Sequence, residues 1–324
     1  MSPDVSIIIV SYNTRQMTLD CLASIARETR ASHEVIVVDN NSSDGSADAI
    51  AAHAPWASLI RRSDNLGFAR ANNLAAERAR GRFMLLLNPD TVILDHAIDR
   101  LLAFADRRPD AMIWGGRTNF ADGSLNATNC FRAPSAWSLF CRATGLAAAF
   151  PHNPVLNSEE YGGWTRDRER AVDIVTGCFL LIETATWRTL GGFDPAFYMY
   201  GEEVDLCLRA RRIGAAPRVT PDATIIHHGG ASEITRANKM VKVLTAKSTL
   251  IRRHWPAVMK PVGLALLAAW PAGRALAIAA QRAIVGGSGA TTEWGEVWQR
   301  RSEWLGGYRP AEPPMLATAD GRLG

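Results

Sequence analysis

VSIIIVSYN (residues 5–13) and EVIVVDN (residues 34–40) decide the fold class of this chain of 324 residues. Val5 to Val10 is an almost unbroken apolar, β-branched run, and the second segment repeats the pattern. Runs of this kind are typical of strands buried on both faces of a sheet. Polar residues follow each run directly. The two segments therefore predict neighbouring buried strands whose ends carry polar side chains.

Strands and helices alternate along the chain from this first strand onward. Helical patterns begin near Thr14, after the polar turn at 41–46, and again near Phe68. A weaker strand around 59–61 and a strong one at 83–87 complete the series. This alternation predicts an α/β fold with a right-handed, mostly parallel central sheet and helices on both faces.

Polar residues from three separate strands are expected on one edge of that sheet. In sheets of this kind, ligands bind beyond the carboxyl ends of the strands. The rule places four side chains on a common rim: Ser11, Asp39, Asn40 and Asp90. A ligand site is therefore predicted at this edge.

The pattern changes twice in the remainder of the chain. From Thr118 to Asp173 turn signals dominate and predict hairpins and an insertion, after which strand-like VDIVTGCFLLI (172–182) follows. A last strand reaches His227, and beyond Ser232 the sequence is rich in helix formers and tryptophan. We predict a boundary near residues 232–240. The predicted units are a catalytic domain at 1–235, with halves at about 1–117 and 118–235, and a helical C-terminal region at 236–324.

Composition narrows the class of protein. Hydrophobic residues make up 47% and charged residues 21% of the chain, enough for a large core. The net charge of +4 is a mild basic excess that does not require nucleic acid as a partner. Five cysteines without a CxxC pair predict neither a disulfide framework nor a zinc site, and indicate a reducing compartment. The N-terminal apolar run lacks a positive flank, which argues against a signal peptide.

Acids and aromatic residues are concentrated in GGFDPAFYMYGEEVDLCLR (191–209). Glu202 and Glu203 follow a glycine and open a predicted helix, close to Tyr198 and Tyr200. Two carboxylates at a helix start beside aromatic rings suit a general base that faces a pocket. Acidic residues also favour helix starts because of the helix dipole. The segment alone supports both interpretations equally.

Two motifs on the predicted rim suit a nucleotide. Asp39 can accept a hydrogen bond from the imide N–H of uracil or thymine, or can cap the turn that follows it. Gly67, in SDNLGFARANN (63–73), opens a helix whose N-terminus can attract a diphosphate. An ordinary loop-to-helix turn explains the same glycine.

Two further motifs suit a metal ion. Asp90 ends LLLNPDT (85–91) and can bind a hard cation such as Mg²⁺ or Mn²⁺, supported by the Asn88 amide, or can form a turn. His227 and His228 end a strand beside two glycines. A lone histidine is more often structural, but a pair at a strand end beside glycines is also suited to a ligand role.

Six motifs in this order resemble those of the family 2 glycosyltransferases, in the rhamnosyltransferase-like branch. They are VSIIIVSYN, VVDNNSSDGS, DNLGFARANN, LLLNPDT, GGFDPAFYMYGEEVDLCLR and IIHHGGAS, within residues 5–235. Each motif is weak singly, but six in the right order are specific. The resemblance implies the GT-A fold, a Rossmann-like fold that binds nucleotide-diphospho-sugars, with a donor-binding half at about 1–117 and an acceptor-facing half at about 118–235.

The resemblance also implies roles for individual residues. Asp39 would bind the donor base, Glu203 would be the general base with Glu202 as the alternative, and Asp90 and His227 would hold Mg²⁺ or Mn²⁺. The implied donor-binding set is Ser11, Asn13, Asp39, Asn40, Asn65, Gly67, Asn88 and Asp90. The implied acceptor side comprises Trp164, Tyr198 and Tyr200. Two residues depart from the family pattern: Asn88 replaces the first acid of D-x-D, and Glu203 replaces the usual aspartate.

The predicted activity is an inverting transfer of a sugar from a nucleotide-diphosphate donor, dTDP-rhamnose or a UDP-sugar. The acceptor would be a hydroxyl of a glycan or lipid-linked molecule in cell-surface polysaccharide synthesis. A carboxylate would remove the hydroxyl proton, and a cation with a helix N-terminus would stabilise the leaving diphosphate. Because of Asn88 and Glu203, a catalytically impaired glycan- or nucleotide-binding homologue is an alternative. A sugar nucleotidyltransferase fits less well, because SYNTRQ (11–16) replaces a glycine-rich loop.

The C-terminal region contains one candidate membrane segment. Residues 262–280 are apolar and long enough to span a bilayer, but a central arginine such as Arg274 costs roughly 2.5–3.5 kcal/mol there. Lys260, Arg274 and Arg282 fall on one helical face, which favours a helix lying in the membrane plane. We predict a cytoplasmic enzyme, peripheral on the cytoplasmic face of the inner membrane through 236–305. A helical subdomain packed on the core is the alternative.

Overall fold

The computed structural model describes residues 2–229, 235–285 and 292–309. The strands are β1 (Val5–Ser11), β2 (His33–Asp39), β3 (Ser58–Arg61), β4 (Phe83–Leu87), β5 (Thr91–Ile93), β6 (Ile113–Asn119), β7 (Cys130–Phe131), β8 (Arg170–Ala171), β9 (Ile174–Val175), β10 (Phe179–Glu183) and β11 (Arg218–His227). The helices are α1 (Arg15–Glu28), α2 (Ser46–His53), α3 (Gly67–Ala76), α4 (Ala97–Arg107), α5 (Ala136–Ala143), α6 (Leu146–Ala149), α7 (Thr184–Leu190), α8 (Glu202–Arg212), α9 (Arg236–His254), α10 (Lys260–Val285), α11 (Glu293–Gln299) and α12 (Arg301–Trp304).

The first four long strands form the parallel sheet that the sequence predicts. They lie in the order β3-β2-β1-β4, and all three pairs are parallel. Their register aligns Ser11 with Asp39, so the polar ends of β1 and β2 meet at one edge. Ile8 packs toward α3 and α8, and its neighbour Ile9 packs toward α1 and α4. Each such side chain contributes about 1.5–3 kcal/mol on burial, which explains why β1 is apolar on both faces.

The second half of the sheet is mixed rather than parallel. The full order is β3-β2-β1-β4-β10-β6-β11-β5, with β8 paired to β11. Strand β10 runs antiparallel to both β4 and β6, while β11 is parallel to β6 and antiparallel to β5. The strand-like run at 172–182 is divided into β9, which pairs with β7, and β10, which pairs with β4 and β6; between them is a turn in which the Phe179 N–H donates to the carbonyl of Thr176. The fold class is confirmed, with this change in strand direction.

The insertion between β6 and β8 packs against the tail. Strand β7 pairs with β9, and residues 119–125 form a short hairpin closed by a bridge between Asn119 and Leu125. Helix α5 packs along α10. Besides the two cores on the faces of the sheet, a third hydrophobic core joins the insertion to α9, α10 and α12. It contains the side chains of Leu139, Leu244, Trp270 and Trp304. The boundary expected near 232–240 falls partly on residues 230–234, which lie outside the described residues.

Helix α10 has two different faces. Its outward face carries the exposed side chains of Val262 (44% exposed) and Leu276 (71%), and Val258 (82%) extends it in the preceding turn. Ala265, Ala269 and Ala280 continue this stripe at helical spacing. Arg274 lies on the other face, with its guanidinium over the ring of Trp294 at 5.6 Å from the centroid. Within the described residues, Ala257–Ala283 is the one helical stretch whose length and composition suit a membrane span, and 22% of its apolar window is buried.

Candidate active site

A groove of about 1240 Å³ opens where the strands of the sheet end. Side chains from three directions line it. The sheet rim contributes Asn40, Asn65, Gly67, Asn88, Asp90 and His227; the start of α8 contributes Glu202 and Glu203; the tail contributes Lys239, Trp270 and Arg274. The tail helices therefore form one wall of the same groove that the rim and α8 form.

A network of amide hydrogen bonds fixes the rim at the start of α3. Asn40 donates from Nδ2 to Oδ1 of Asn65 (3.0 Å), and its own Oδ1 accepts from the backbone N–H of Leu66 (2.9 Å). Asn65 Oδ1 also accepts from the N–H of Gly67 at 2.9 Å. Gly67 has φ +75°, and a Cβ there would lie 2.4 Å from the carbonyl oxygen of Tyr198. Only glycine fits at this position, and the N–H groups of Leu66, Gly67 and Phe68 all donate within the protein, so the start of α3 can act on a ligand through the helix dipole.

Three residues of the expected donor-binding set lie behind this lining. The Ser11 hydroxyl is buried between Thr14 (3.2 Å) and Thr18 (3.0 Å), and Asn13 Oδ1 accepts from the N–H of Ser43. Asp39 is buried, and its Oδ2 accepts from the N–H of Ser42 at 3.2 Å. Its Oδ1 has no protein partner. A buried oxygen without a partner costs free energy unless a ligand donates to it, so Asp39 keeps one acceptor site available.

Asp90 and His227 form a close pair on the rim. Asp90 Oδ1 lies 3.4 Å from His227 Nε2, and its Oδ2 accepts from the N–H of Gly229 (2.9 Å). Burial raises the pKa of Asp90, but the hydrogen bonds and the charge of His227 outweigh it and lower the pKa below 3.8. Burial lowers the pKa of His227, but Cys178 and Asp90 outweigh it and raise the pKa to about 10. Asp90 is therefore an anion throughout the physiological pH range.

The donor atoms at this pair fit a divalent cation that is shared with a ligand. Asn88 Nδ2 lies 3.3 Å from His227 Nε2, while the buried Nδ1 of His227 has no partner. No group of three or more His, Cys, Asp or Glu side chains suited to a metal occurs within residues 2–229, 235–285 and 292–309. The Asp90 carboxylate provides one ligand, and the His227 imidazole provides a second after a cation displaces its proton. Mg²⁺ in proteins commonly takes one or two carboxylates and completes its shell with substrate phosphates and water.

Glu202 and Glu203 lie side by side at the first turn of α8, after Gly201 at φ +89°. Glu202 is 3% exposed, and one oxygen of each side chain, Oε2, is buried without a partner. Burial, then the charge of Glu203, raise the pKa of Glu202 well above 4.5. Burial also raises the pKa of Glu203, although its hydrogen bond with Glu202 lowers it in part. The two carboxyl groups therefore ionise as a coupled pair, with pKa values above the ordinary range of a glutamate.

Asp205 belongs to the same helix but has cationic partners. His254 of α9 lies 2.7 Å from its Oδ1, and Arg209 donates to its Oδ2 at 2.7 Å. Burial raises the pKa of Asp205, but these two partners outweigh it and lower the pKa below 3.8. This ion pair ties α8 to the tail. It also gives Asp205 a supporting position beneath the glutamate pair.

The expected acceptor-side residues separate into two groups. Tyr198 and Tyr200 line the groove beside Glu202. Trp164 does not line it: the ring packs edge-on against Tyr161 in the core and stacks with Arg166 at 4.6 Å. The geometry therefore gives Trp164 a packing role.

Several lining residues escaped the sequence interpretation. Asn126 donates from Nδ2 to the carbonyl of His227 (2.9 Å) and so fixes the end of β11. Arg132, Lys239 and Arg274 bring cations to the groove from the insertion and the tail. The sequence holds one signal for Arg274, a lone charge inside an apolar segment, which predicts a polar helical face at a membrane and not a residue of the groove.

Comparison with known proteins identifies the family of the chain. The sequence model of the family described as glycosyl transferase family 2 matches residues 6–177. The N-acetylglucosaminyl-diphospho-decaprenol L-rhamnosyltransferase of Mycobacterium tuberculosis is 28% identical over 70% of this chain and 77% of its own length. The O-antigen biosynthesis protein RfbC of Myxococcus xanthus is 27% identical over 71% of this chain, which corresponds to 18% of that protein.

Solved structures share the fold. The mannosyltransferase PcManGT from Pyrobaculum calidifontis, solved with GDP-Man and Mn²⁺, superposes with a TM-score of 0.55. It is 18% identical, and the match covers 94% of this chain and 85% of that one. A structure of S. aureus TarS 1-349 with UDP gives a TM-score of 0.51 at 14% identity, covering 82% of this chain and 70% of the other. Both are similar in fold to the present chain, which has the GT-A architecture.

Proposed function

The chain belongs to glycosyl transferase family 2, in its rhamnosyltransferase-like branch, and from this premise we propose that it transfers a sugar, with inversion, from a nucleotide-diphosphate donor to a lipid-linked acceptor. The observation that carries the proposal is the glutamate pair of α8. It is buried, has unpartnered oxygens and faces the same groove as Asp90 and His227. Carboxyl groups with raised pKa values beside an anion-binding rim are suited to base catalysis.

Glu203 is the proposed general base. In its ionised form it accepts the proton of the acceptor hydroxyl at Oε2, the buried oxygen without a protein partner. The oxygen of that hydroxyl attacks the anomeric carbon, and the bond to the nucleoside diphosphate breaks on the opposite side. Such a direct displacement inverts the anomeric centre. Glu202 supports the reaction by holding the proton that the pair shares, which leaves Glu203 free to accept.

The rim residues are proposed to hold the donor. Asp39 Oδ1 would accept from the imide N–H of the base, and the positive end of the α3 dipole at Gly67 would face the diphosphate. Asn40, Asn65 and Asn88 shape this part of the lining. Ser11 and Asn13 would act from behind it, by fixing the ends of β1 and the following turn. The donor proposed first is dTDP-rhamnose, since a relative is named as an L-rhamnosyltransferase; a UDP-sugar is second.

Asp90 and His227 would hold Mg²⁺ or Mn²⁺ together with the donor diphosphate. A bound cation would neutralise the charge that grows on the leaving diphosphate. The solved relative with Mn²⁺ supports the choice of metal. Asp90 is ready for this role because its pKa is lowered and it needs no deprotonation.

A panel of nucleotide sugars tests the donor and the metal together. Thermal unfolding of the full chain would be followed with dTDP-rhamnose, UDP-GlcNAc, UDP-galactose and GDP-mannose, each with and without Mn²⁺. We expect the largest rise in Tm with dTDP-rhamnose and Mn²⁺. Transfer to a synthetic polyprenyl-diphospho-N-acetylglucosamine, with NMR of the new linkage, would then show inversion. Retention of the anomeric configuration, or stabilisation by no nucleotide sugar, would contradict the proposal.

The tail is proposed to place the enzyme on the cytoplasmic face of the inner membrane. Of the 13 large exposed hydrophobic side chains in the described residues, seven lie within 137–155 and 258–276, on α5, α6, α10 and their connecting turns. These segments neighbour one another through the α5–α10 contact. An apolar helical stripe with aromatic residues beside it suits the headgroup region of a bilayer.

Sedimentation with vesicles tests this placement. Vesicles of phosphatidylcholine and phosphatidylglycerol should carry the wild-type chain into the pellet, and Leu276→Asp should reduce the bound fraction severalfold. Trp56→Asp is the matched control, because Trp56 is 48% exposed in the turn between α2 and β3. Equal binding by the two variants would contradict the membrane role of α10.

A further inference from the structure

The tail-side part of the groove carries more cations than anions. Three acids line it, and each already has a cationic partner. Glu159 lies 2.5 Å from Lys247, Glu160 lies 2.9 Å from Arg142, and Glu303 lies 2.8 Å from Arg300. The remaining cations that line this part therefore create a positive field in a concave, partly buried site, where charge acts more strongly than on an open surface.

Arg132, Lys239 and Arg274 are three of the cations that remain. Arg132 lies over the ring of Tyr161 at 5.1 Å, and Arg274 lies over that of Trp294 at 5.6 Å. Lys239 projects from the first turn of α9 and is half-buried. None of the three pairs with a carboxylate in the part of the chain that the structure describes. The aromatic rings hold the two guanidinium groups in place without neutralising them.

These cations come from other elements of the fold than the groups assigned to the donor. The donor diphosphate has Asp90, His227 and the start of α3 on the sheet rim, whereas Arg132 comes from the insertion and Lys239 and Arg274 from the tail. The groove is continuous between the two parts and passes Glu203. A second anionic ligand can therefore enter from the tail side and reach the glutamate pair.

Helix α10 relates this anion site to an apolar surface. Arg274 lines the groove, while Leu276, two residues later, is 71% exposed on the opposite face. One helix thus presents a cation inward and an apolar stripe outward. A molecule whose anionic and apolar parts are covalently linked can contact both.

We propose that Arg132, Lys239 and Arg274 form a second diphosphate site, which binds the diphosphate of a lipid-linked acceptor while its lipid stays at the outer face of α10. The inference rests on the proposed function, in that the acceptor is taken to be lipid-linked. It adds the residues that recognise this acceptor and the direction from which it enters. Arginine suits the task because its planar guanidinium donates two parallel hydrogen bonds to phosphate oxygens.

Binding of farnesyl diphosphate, below its critical micelle concentration, to the full chain tests the proposal. We expect Arg274→Gln and Lys239→Gln each to weaken binding about tenfold, the effect of one lost charge-assisted contact. Arg78→Gln is the matched control, since Arg78 is exposed on the last turn after α3 and does not line the groove. Saturating UDP with Mn²⁺ should leave the affinity for farnesyl diphosphate unchanged within about twofold, because the two diphosphate sites are separate.

Inorganic diphosphate and farnesol test separately whether the anionic part and the apolar part of farnesyl diphosphate are both needed for binding. Each should bind at least tenfold more weakly than farnesyl diphosphate. The proposal is overturned if the wild type does not bind farnesyl diphosphate, if both Gln variants bind it like Arg78→Gln, or if UDP displaces it. Equal binding of inorganic diphosphate would overturn the lipid link. Unfolding midpoints confirm that the variants fold, and the nucleotide-sugar panel reports separately on the proposed function, because it needs no acceptor.

Discussion

Asp90 and the pair Glu202–Glu203 are buried carboxyl groups in one groove, yet their environments shift their pKa values in opposite directions. Asp90 faces His227 and the N–H of Gly229, and its pKa is lowered. The glutamates face each other at the first turn of α8, and their pKa values are raised. Burial acts alike on both sites, so the partner decides the direction.

This contrast assigns different chemistry to the two sites. A carboxyl group whose pKa is lowered suits a cation or a fixed dipole, and one whose pKa is raised suits proton transfer. Asp205 is an internal reference, since it lies on α8 with the glutamates but has His254 and Arg209 as partners. Position on the helix therefore does not explain the raised pKa values of the glutamates.

Glu203→Gln should have the largest effect. The amide cannot accept the hydroxyl proton, so we expect kcat to fall by about 10²–10⁴-fold, with donor affinity almost unchanged. Initial rates and nucleotide-sugar titrations measure the two quantities, with Glu77→Gln, an exposed residue after α3, as control. If Glu202→Gln loses turnover and Glu203→Gln retains it, the base is Glu202.

Asp90→Asn should have the next largest effect. Loss of the fixed charge should weaken Mn²⁺ and donor binding by about 10–100-fold. The stabilisation of the chain by donor with Mn²⁺, compared with donor alone, measures this loss, and Asp20→Asn on the exposed face of α1 is the control. If Mn²⁺ does not increase the stabilisation of the wild type by the donor, the site with Asn88 needs no cation. Asp90 would then have a structural role, as the partner of His227 and Gly229, and no role in metal binding.

Asp205→Asn should destabilise the fold by about 2 kcal/mol at pH 7, because it removes a nearly buried charge from its partners. The folded-state pKa of Asp205 lies below 3.8, so its contribution is present above that pH and is lost as the pH falls. Urea unfolding at several pH values should show the difference between wild type and variant shrinking below pH 4. A constant difference would contradict the ionised state of Asp205.

Glu202→Gln should have the smallest effect. It should stabilise the fold, whereas Asp205→Asn destabilises it. The pKa of Glu202 is raised by folding, so the wild type is favoured below pH 4.5 and loses stability as the pH rises. The amide imitates the protonated form, and we expect the variant to be more stable by about 1 kcal/mol at pH 8 and equal to the wild type at pH 4. A destabilised variant at pH 8 would show that Glu202 is held as an anion.

The fold was predictable where local pattern and tertiary burial agree. Strands β1, β2 and β4 are buried on both faces, so their sequences are continuous apolar runs. The break between β9 and β10 was missed, because it depends on distant partners. Thr176 donates to Thr128, and Asn88 donates its N–H to the carbonyl of Cys178. The directions of the strands in the second half of the sheet also depend on partners that are distant along the chain, so no local pattern in the sequence predicts them.

The candidate site was predictable as a set of motifs but not as an electrostatic arrangement. The acids, the rim asparagines and His227 stand in recognisable segments. The opposite pKa shifts of Asp90 and Glu202 depend on contacts across the fold, and Asn126 reaches His227 from 101 positions away along the chain. Arg274 could be found only after α10 was placed beside α11, because its partner Trp294 lies in another helix.

Tyr308 connects the tail to the loop that precedes α8. Its hydroxyl donates to the carbonyl of Met199, its ring packs edge-on against Phe197, and its N–H donates to Thr249. The loop that leads into the glutamate pair is thus held by a residue more than a hundred positions later. During synthesis the sheet rim can fold early, but this loop gains its last support only after the chain has been made through residue 308. A truncated version prepared for solubility would retain the rim and lose the order of the loop that leads to the proposed base.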